Sequence, residues 1–160
     1  EPYLYEWRFN LETGAVRERA LDDVMTEFPR MNNTWLGRPS RYAYSPRVAS
    51  APVLLFDGFV KYDTRAGTST AHAYGDGCFG GETVFAPRAG SGSVGADGVE
   101  DDGYVLTFVT DAASGASEVI VVDAQRVEDG PVARVQLPQR VPIGYHAWWV
   151  SAEELTKQRR

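Results

Sequence analysis

One turn is written three times along this chain, each time between two runs that read as strands. Asn10-Leu-Glu-Thr-Gly14 follows Tyr3, Tyr5, Trp7 and Phe9, which alternate with Leu4, Glu6 and Arg8, and it leads into residues 15–21. Asp63-Thr-Arg-Ala-Gly67 leads in the same way into residues 68–74, and a longer version from Asp123 to Gly130 leads into residues 132–137. Period-two alternation puts every second side chain on one face of a strand, and a short loop carrying a glycine returns the chain antiparallel to itself. The three turns open 53 and then 60 residues apart. Units of that length cannot bury their own faces and need neighbours, as the blades of a β-propeller do.

Between these outer hairpins, residues 41–45, 53–60, 83–86, 104–111 and 118–123 read as inner strands. Val105-Leu-Thr-Phe-Val109 and Val119-Ile-Val-Val122 are apolar enough for burial on both faces. Residues 90–103 form a glycine-rich surface excursion that ends in an acidic run, Glu100-Asp101-Asp102. Helical character is confined to residues 152–157, with Ser151 as cap and Glu153 and Glu154 in the first turn.

Composition narrows the function classes. A hydrophobic content of 43% with 12% aromatics is enough for a core, while a net charge of -6 with scattered lysine and arginine argues against nucleic acid. Only Lys157 to Arg160 clusters, and a chain end of that kind reads as solvated. The single cysteine, Cys78, excludes an internal disulfide and suits a reducing compartment, so the expected location is cytoplasmic. One cysteine and two histidines rule out a zinc cluster. No run of 18 apolar residues is present. The chain opens on Glu1, with its only methionines at Met25 and Met31, and is expected to be cut from a longer protein.

Chemistry concentrates near the end. Residues 132–137 alternate, Pro138 to Pro142 interrupt, and residues 144–150 resume as an aromatic-rich run with His146 at its centre. That run is expected to be a strand, which would give the imidazole the rigid support a metal ligand needs. A core histidine bonded to a carbonyl fits the same spacing. His72, in Thr70-Ala-His-Ala-Tyr74, has the alternating polar neighbours of a solvent-facing position.

Three stretches carry a family resemblance. Pro131-Val-Ala-Arg-Val-Gln-Leu-Pro followed by Arg140-Val-Pro-Ile-Gly-Tyr-His146-Ala-Trp-Trp-Val resembles the C-terminal signature of the carotenoid cleavage oxygenases. Glu27-Phe-Pro-Arg-Met-Asn32, then Gly37-Arg-Pro-Ser-Arg-Tyr-Ala-Tyr44, is similar to a second segment of that family. Gly77-Cys-Phe-Gly-Gly-Glu82-Thr-Val-Phe-Ala-Pro-Arg88, then Glu100-Asp-Asp-Gly-Tyr-Val-Leu-Thr107, is similar to a third. The departure is Thr83, where the family usually has proline.

The resemblance implies an all-β fold, part of a seven-bladed β-propeller, with residues 1–160 as the C-terminal blades of a single domain. It implies a non-haem iron(II) dioxygenase that cleaves a conjugated carbon–carbon double bond of a carotenoid, apocarotenoid or stilbene-like substrate with O2, giving two carbonyl products. His146 would be an iron ligand. Glu27 and Glu82 would accept the free N–H of ligand histidines lying outside this chain, which fixes the tautomer and aims the ring. Pro29 is expected to hold Phe28 extended and so keep Glu27 on a strand. Trp148, Trp149 and Phe85 would line a substrate tunnel or serve as packing. No organic cofactor is implied, the chain alone would be inactive, and peripheral membrane contact of the complete protein stays open. A non-catalytic propeller binding module and a free-standing β-sandwich account for the strands without the chemistry.

Overall fold

The computed structural model describes residues 1–89 and 98–158. Apart from two single 3-10 turns and one short helix, the regular structure is antiparallel β. Strands β1 (Tyr3–Phe9) and β2 (Val16–Met25) pair as a ribbon. The turn between them is built as its sequence directs: the Asn10 side-chain oxygen accepts the N–H groups of Glu12 and Thr13, both at 2.9 Å, and Gly14 takes a φ of 70°.

The remaining strands form one sheet of eight. They are β3 (Tyr42–Val48), β4 (Phe56–Asp63), β5 (Thr68–Ala73), β6 (Cys78–Gly80), β7 (Val84–Pro87), β8 (Gly103–Asp111), β9 (Ser117–Asp123) and β10 (Pro131–Gln136). Two meanders are visible within it. One runs β3-β4-β5 and the other β7-β8-β9-β10, with short β6 bridging them through Phe56↔Gly80 and Gly80↔Val109. The first meander gains an innermost segment from residues 26–30, which meets β3 at Thr26↔Arg47 and Arg30↔Tyr44. Each meander then has four members in chain order, the arrangement of a propeller blade. Glu27 and Glu82 lie at corresponding places, on or just ahead of the innermost member.

The core lies where the two blades meet. Tyr44, Phe59 and Tyr74 of the first pack with Phe85, Val105, Val109, Ile120 and Val122 of the second. Close packing leaves no room for a side chain at Gly58, where a Cβ would lie 2.3 Å from the His72 carbonyl oxygen. The three acids of the β8 leader are absorbed too. Glu100 accepts the N–H groups of Arg41 and Tyr42, Asp101 takes Lys61 at 2.6 Å, and Asp102 takes Arg88 at 2.7 Å.

Several expectations are corrected. Residues 144–150 are not a strand, because the whole stretch 137–151 is irregular; Pro138 and Pro142 lack the N–H that a ladder would use. The acidic run belongs to the blade junction rather than to a surface excursion, of which residues 90–97 lie outside the described residues. His72 does not face solvent: it pairs with Phe59 across β4 and β5, its ring 5.4 Å from that of Phe59, and burial pushes its pKa down. Helix α1 (Ala152–Gln158) forms as expected, with Ser151 and Glu154 bonded reciprocally. No helix among the described residues is long and apolar enough to cross a membrane.

Candidate functional site

The site is assembled from the segments that open the two blades, around residues 26–30 and Glu82, and from the irregular stretch that carries His146. Residues 26–30 and 44–47 span one residue more on the first strand than on the second, which is a β-bulge. Phe28 absorbs the extra residue with a φ of 50°, in the left-handed region that a bulky side chain seldom adopts. This corrects the expected extended geometry, since the pairing of the flanking residues overrides the local preference set by Pro29. The bulge turns the Phe28 ring against Phe56, Tyr145 and His146, edge to face, at centroid distances of 5.9, 6.2 and 5.1 Å.

Two residues after Phe28, Arg30 reaches across to Glu82. Its Nε donates to Oε1 at 2.7 Å and its Nη2 to Oε2 at 2.9 Å, a two-pronged pair on a carboxylate that is only 2% exposed. A carboxylate so buried would be strongly disfavoured without a counter-charge. Glu82 also accepts the Ala147 N–H at 2.6 Å, and Arg30 Nη2 donates to the Ala147 carbonyl at 3.1 Å. The His146 Nδ1 lies 3.6 Å from Glu82 Oε2. That is longer than a hydrogen bond, and it leaves Nδ1 facing the carboxylate.

The irregular stretch that carries His146 is thus tethered at two points. Upstream, the Val141 N–H donates to Ser117 Oγ at 2.9 Å and its carbonyl accepts from Thr110 Oγ1 at 3.2 Å. Downstream, both backbone groups of Ala147 are taken by Glu82 and Arg30. Side chains here replace the strand ladder that prolines prevent.

The imidazole itself is open, 73% exposed, with Nδ1 toward Glu82 and Nε2 left for a ligand contact. A buried carboxylate behind one ring nitrogen and an accessible second nitrogen fit a metal-ligating histidine. Among the described residues no three or more of His, Cys, Asp and Glu gather as a metal cluster. Glu82 was expected to serve a histidine outside the chain, yet the imidazole beside it is His146. Glu27 keeps to the bulge, where its carboxylate accepts the Phe28 N–H at 3.3 Å.

Other motif residues hold the frame. Asn32 donates to the Glu100 carbonyl at 2.9 Å and accepts from Thr34, which ties the first motif to the acidic run. Thr83 is buried and its hydroxyl donates to the Tyr44 carbonyl at 3.3 Å, a bond that proline could not make. Phe85 is core, stacked on Tyr44 at 5.5 Å, while Trp148 lies under the Arg30 guanidinium at 5.3 Å. The residues that sequence reasoning missed are Phe28 and Arg30, both inside the quoted Glu-Phe-Pro-Arg phrase.

Residues 1–151 match the family described as retinal pigment epithelial membrane protein. A carotenoid 9,10(9',10')-cleavage dioxygenase 1 of Pisum sativum is 39% identical over 170 residues, covering 98% of this chain and 30% of the relative. Among solved structures, cobalt-substituted Synechocystis apocarotenoid oxygenase superposes with a TM-score of 0.81 at 26% identity, over 92% of this chain and 30% of the other. Lignostilbene dioxygenase of Pseudomonas brassicacearum superposes with a TM-score of 0.76 at 29% identity, over 88% and 30%. The chain therefore spans about 30% of the length of the relatives it matches, and its blades are part of an all-β, seven-bladed propeller of their kind. The match over residues 1–151, the 39% identity to a relative and the superposition of the blades together make this chain a member of the retinal pigment epithelial membrane protein and carotenoid cleavage oxygenase family.

Proposed function

We propose that the full-length protein is a non-haem iron(II) dioxygenase that cleaves a conjugated carbon–carbon double bond of a carotenoid, apocarotenoid or stilbene-like substrate with O2, releasing two carbonyl products. Support comes from family membership and from relatives named for carotenoid, apocarotenoid and lignostilbene oxygenation. The observation that carries the reading is the buried Glu82 carboxylate set behind an exposed His146. In that protein this chain forms the C-terminal blades of a single domain.

His146 would hold the metal through Nε2, and Glu82 would keep the proton on Nδ1, so that the neutral imidazole offers its lone pair outward. Iron(II), when bound, supplies the binding and activation of O2. Glu27 sits at the corresponding place one blade earlier and would orient a histidine from elsewhere in the ring. Phe28, packed on the imidazole, excludes water from one side of it and restricts its tilt. Because one histidine cannot hold a catalytic iron by itself and no cluster of three or more metal-ligating side chains gathers among the described residues, the chain is expected to be inactive alone.

The test supplies full-length protein with iron(II), O2 and a panel of carotenoids, apocarotenoids and hydroxystilbenes. Aldehyde or ketone fragments from any class are expected. No carbonyl product from iron-loaded protein across the panel would instead favour a non-catalytic propeller module.

A further inference from the structure

We infer that Arg30 is a positioning residue for His146, acting through Glu82 and through the peptide of Ala147. The inference rests on the reading of His146 as a metal ligand and adds to it the group that sets where the ring stands. Three observations converge. Arg30 takes both oxygens of a carboxylate that is 2% exposed, so the charge beside His146 stays buried only because Arg30 balances it. The same guanidinium bonds the Ala147 carbonyl while Glu82 bonds the Ala147 N–H, so the peptide immediately after His146 is fixed at both of its polar groups. Finally, the segment has no strand ladder to fall back on, since residues 137–151 are irregular.

Removing the guanidinium would leave Glu82 with two claims on one oxygen, the Ala147 N–H at 2.6 Å and His146 Nδ1 at 3.6 Å, and nothing to hold its other oxygen. The carboxylate would turn and the Ala147 carbonyl would lose its donor, so the imidazole would move on a freed backbone. Lysine cannot substitute in full: it keeps a charge near Glu82 but has one donor centre, where the fork serves two carboxylate oxygens and a carbonyl together.

The test uses the full-length protein with Arg30→Met, Arg30→Lys, His146→Ala and Lys61→Met. Lys61 forms another largely buried ion pair, with Asp101, in a different part of the blade junction. Iron(II) affinity is measured by titration, and the visible d–d absorption of the cobalt(II)-loaded protein reports ligand geometry independently of turnover. Arg30→Met should weaken iron(II) binding by roughly 10- to 100-fold, the scale of losses behind a ligand, and alter the cobalt band. Arg30→Lys should remain several-fold weak, and it decides the matter if Arg30→Met does not fold. Lys61→Met should lower the melting temperature yet keep wild-type affinity and spectrum. Wild-type affinity and cobalt spectrum in both Arg30 variants would overturn the inference, as would the same loss in Lys61→Met. Iron retained by His146→Ala would remove the underlying reading, whereas iron lost there and kept in the Arg30 variants would remove only the role of Arg30.

Discussion

The guanidinium of Arg30 and the carboxylate of Glu82, 52 residues apart in sequence, meet at 2.7 and 2.9 Å between the innermost segments of two adjacent blades. Each residue opens its blade in a phrase of its own, and the pair holds the third phrase, around His146, by the Ala147 peptide. The three motifs are therefore one structural unit. What looks in sequence like three separate signatures is a single clamp contributed from three places.

The left-handed φ of Phe28 inverts the usual order of glycine and alanine. Phe28→Ala and Phe28→Gly lose the same contacts with Phe56, Tyr145 and His146. Glycine adopts a φ of 50° without strain, so the Gly variant should be the more stable of the two by about 0.5–1 kcal/mol in urea denaturation. An alanine variant as stable as the glycine one, or more so, would show that the bulge relaxes in solution.

Gly58→Ala should destabilise the first blade. Its Cβ would sit 2.3 Å from a backbone oxygen of β5, which cannot retreat without opening the β4–β5 ladder. A loss of about 1–3 kcal/mol is expected, the range for overpacking. An unchanged denaturation midpoint would count against the register Gly58↔Ala73.

Acid should weaken the fold through Asp63. The Arg41 guanidinium, bonded to it through Nε at 2.8 Å, and the N–H groups of Ala66 and Arg65 hold its pKa down to about 2, from an ordinary value of 3.8. A depressed carboxylate contributes stability that is complete above its unfolded pKa and disappears as pH falls through the folded one. Its contribution is therefore present at pH 5 and above and lost between about pH 4 and pH 2. Arg41 is 41% exposed, so after solvent screening the effect is on the order of 1 kcal/mol. Asp63→Asn still accepts from the turn N–H groups but loses the ion pair. Its deficit against wild type should be visible at neutral pH and close by pH 2; a deficit constant from pH 7 to pH 2 would exclude this origin.

Residues 1–160 expressed alone should bind iron(II) below stoichiometry and melt without sharp cooperativity. The ribbon β1-β2 leaves Trp7 and Phe9 exposed at 55% and 66%, and the face they lie on has no partner within the described residues. A soluble monomer with a single sharp transition would show that these blades are self-sufficient.

The strands were legible because alternation is local. Tyr3 to Phe9, the Asn10 and Asp63 turns and the reciprocal cap of Ser151 with Glu154 are each written within a few residues, and each forms. The candidate site was proposed only through whole phrases, in which His146, Glu27 and Glu82 stand out by type, and the structure brings Glu82 and His146 together while Glu27 stays at the bulge. What the sequence hid depends on distant partners. Phe28 departs from the extended form because Thr26 and Arg30 must both pair with β3. His72 is turned inward by its place opposite Phe59, and Glu100 by the N–H groups of Arg41 and Tyr42, 59 and 58 residues away. Arg30 carried no sign of its role, because an arginine beside a proline is ordinary until the buried Glu82 arrives from the next blade.

The tether of His146 also fixes an order of events. Arg30 and Ala147 are separated by 117 residues, and the bond between them can form only once both blades are seated. Contacts of such sequence separation close late, after the loops between them have been ordered. The His146 segment is then the last part of this chain to be set, and if His146 holds the metal as proposed, iron(II) uptake by the refolding full-length protein should lag the recovery of β-sheet circular dichroism.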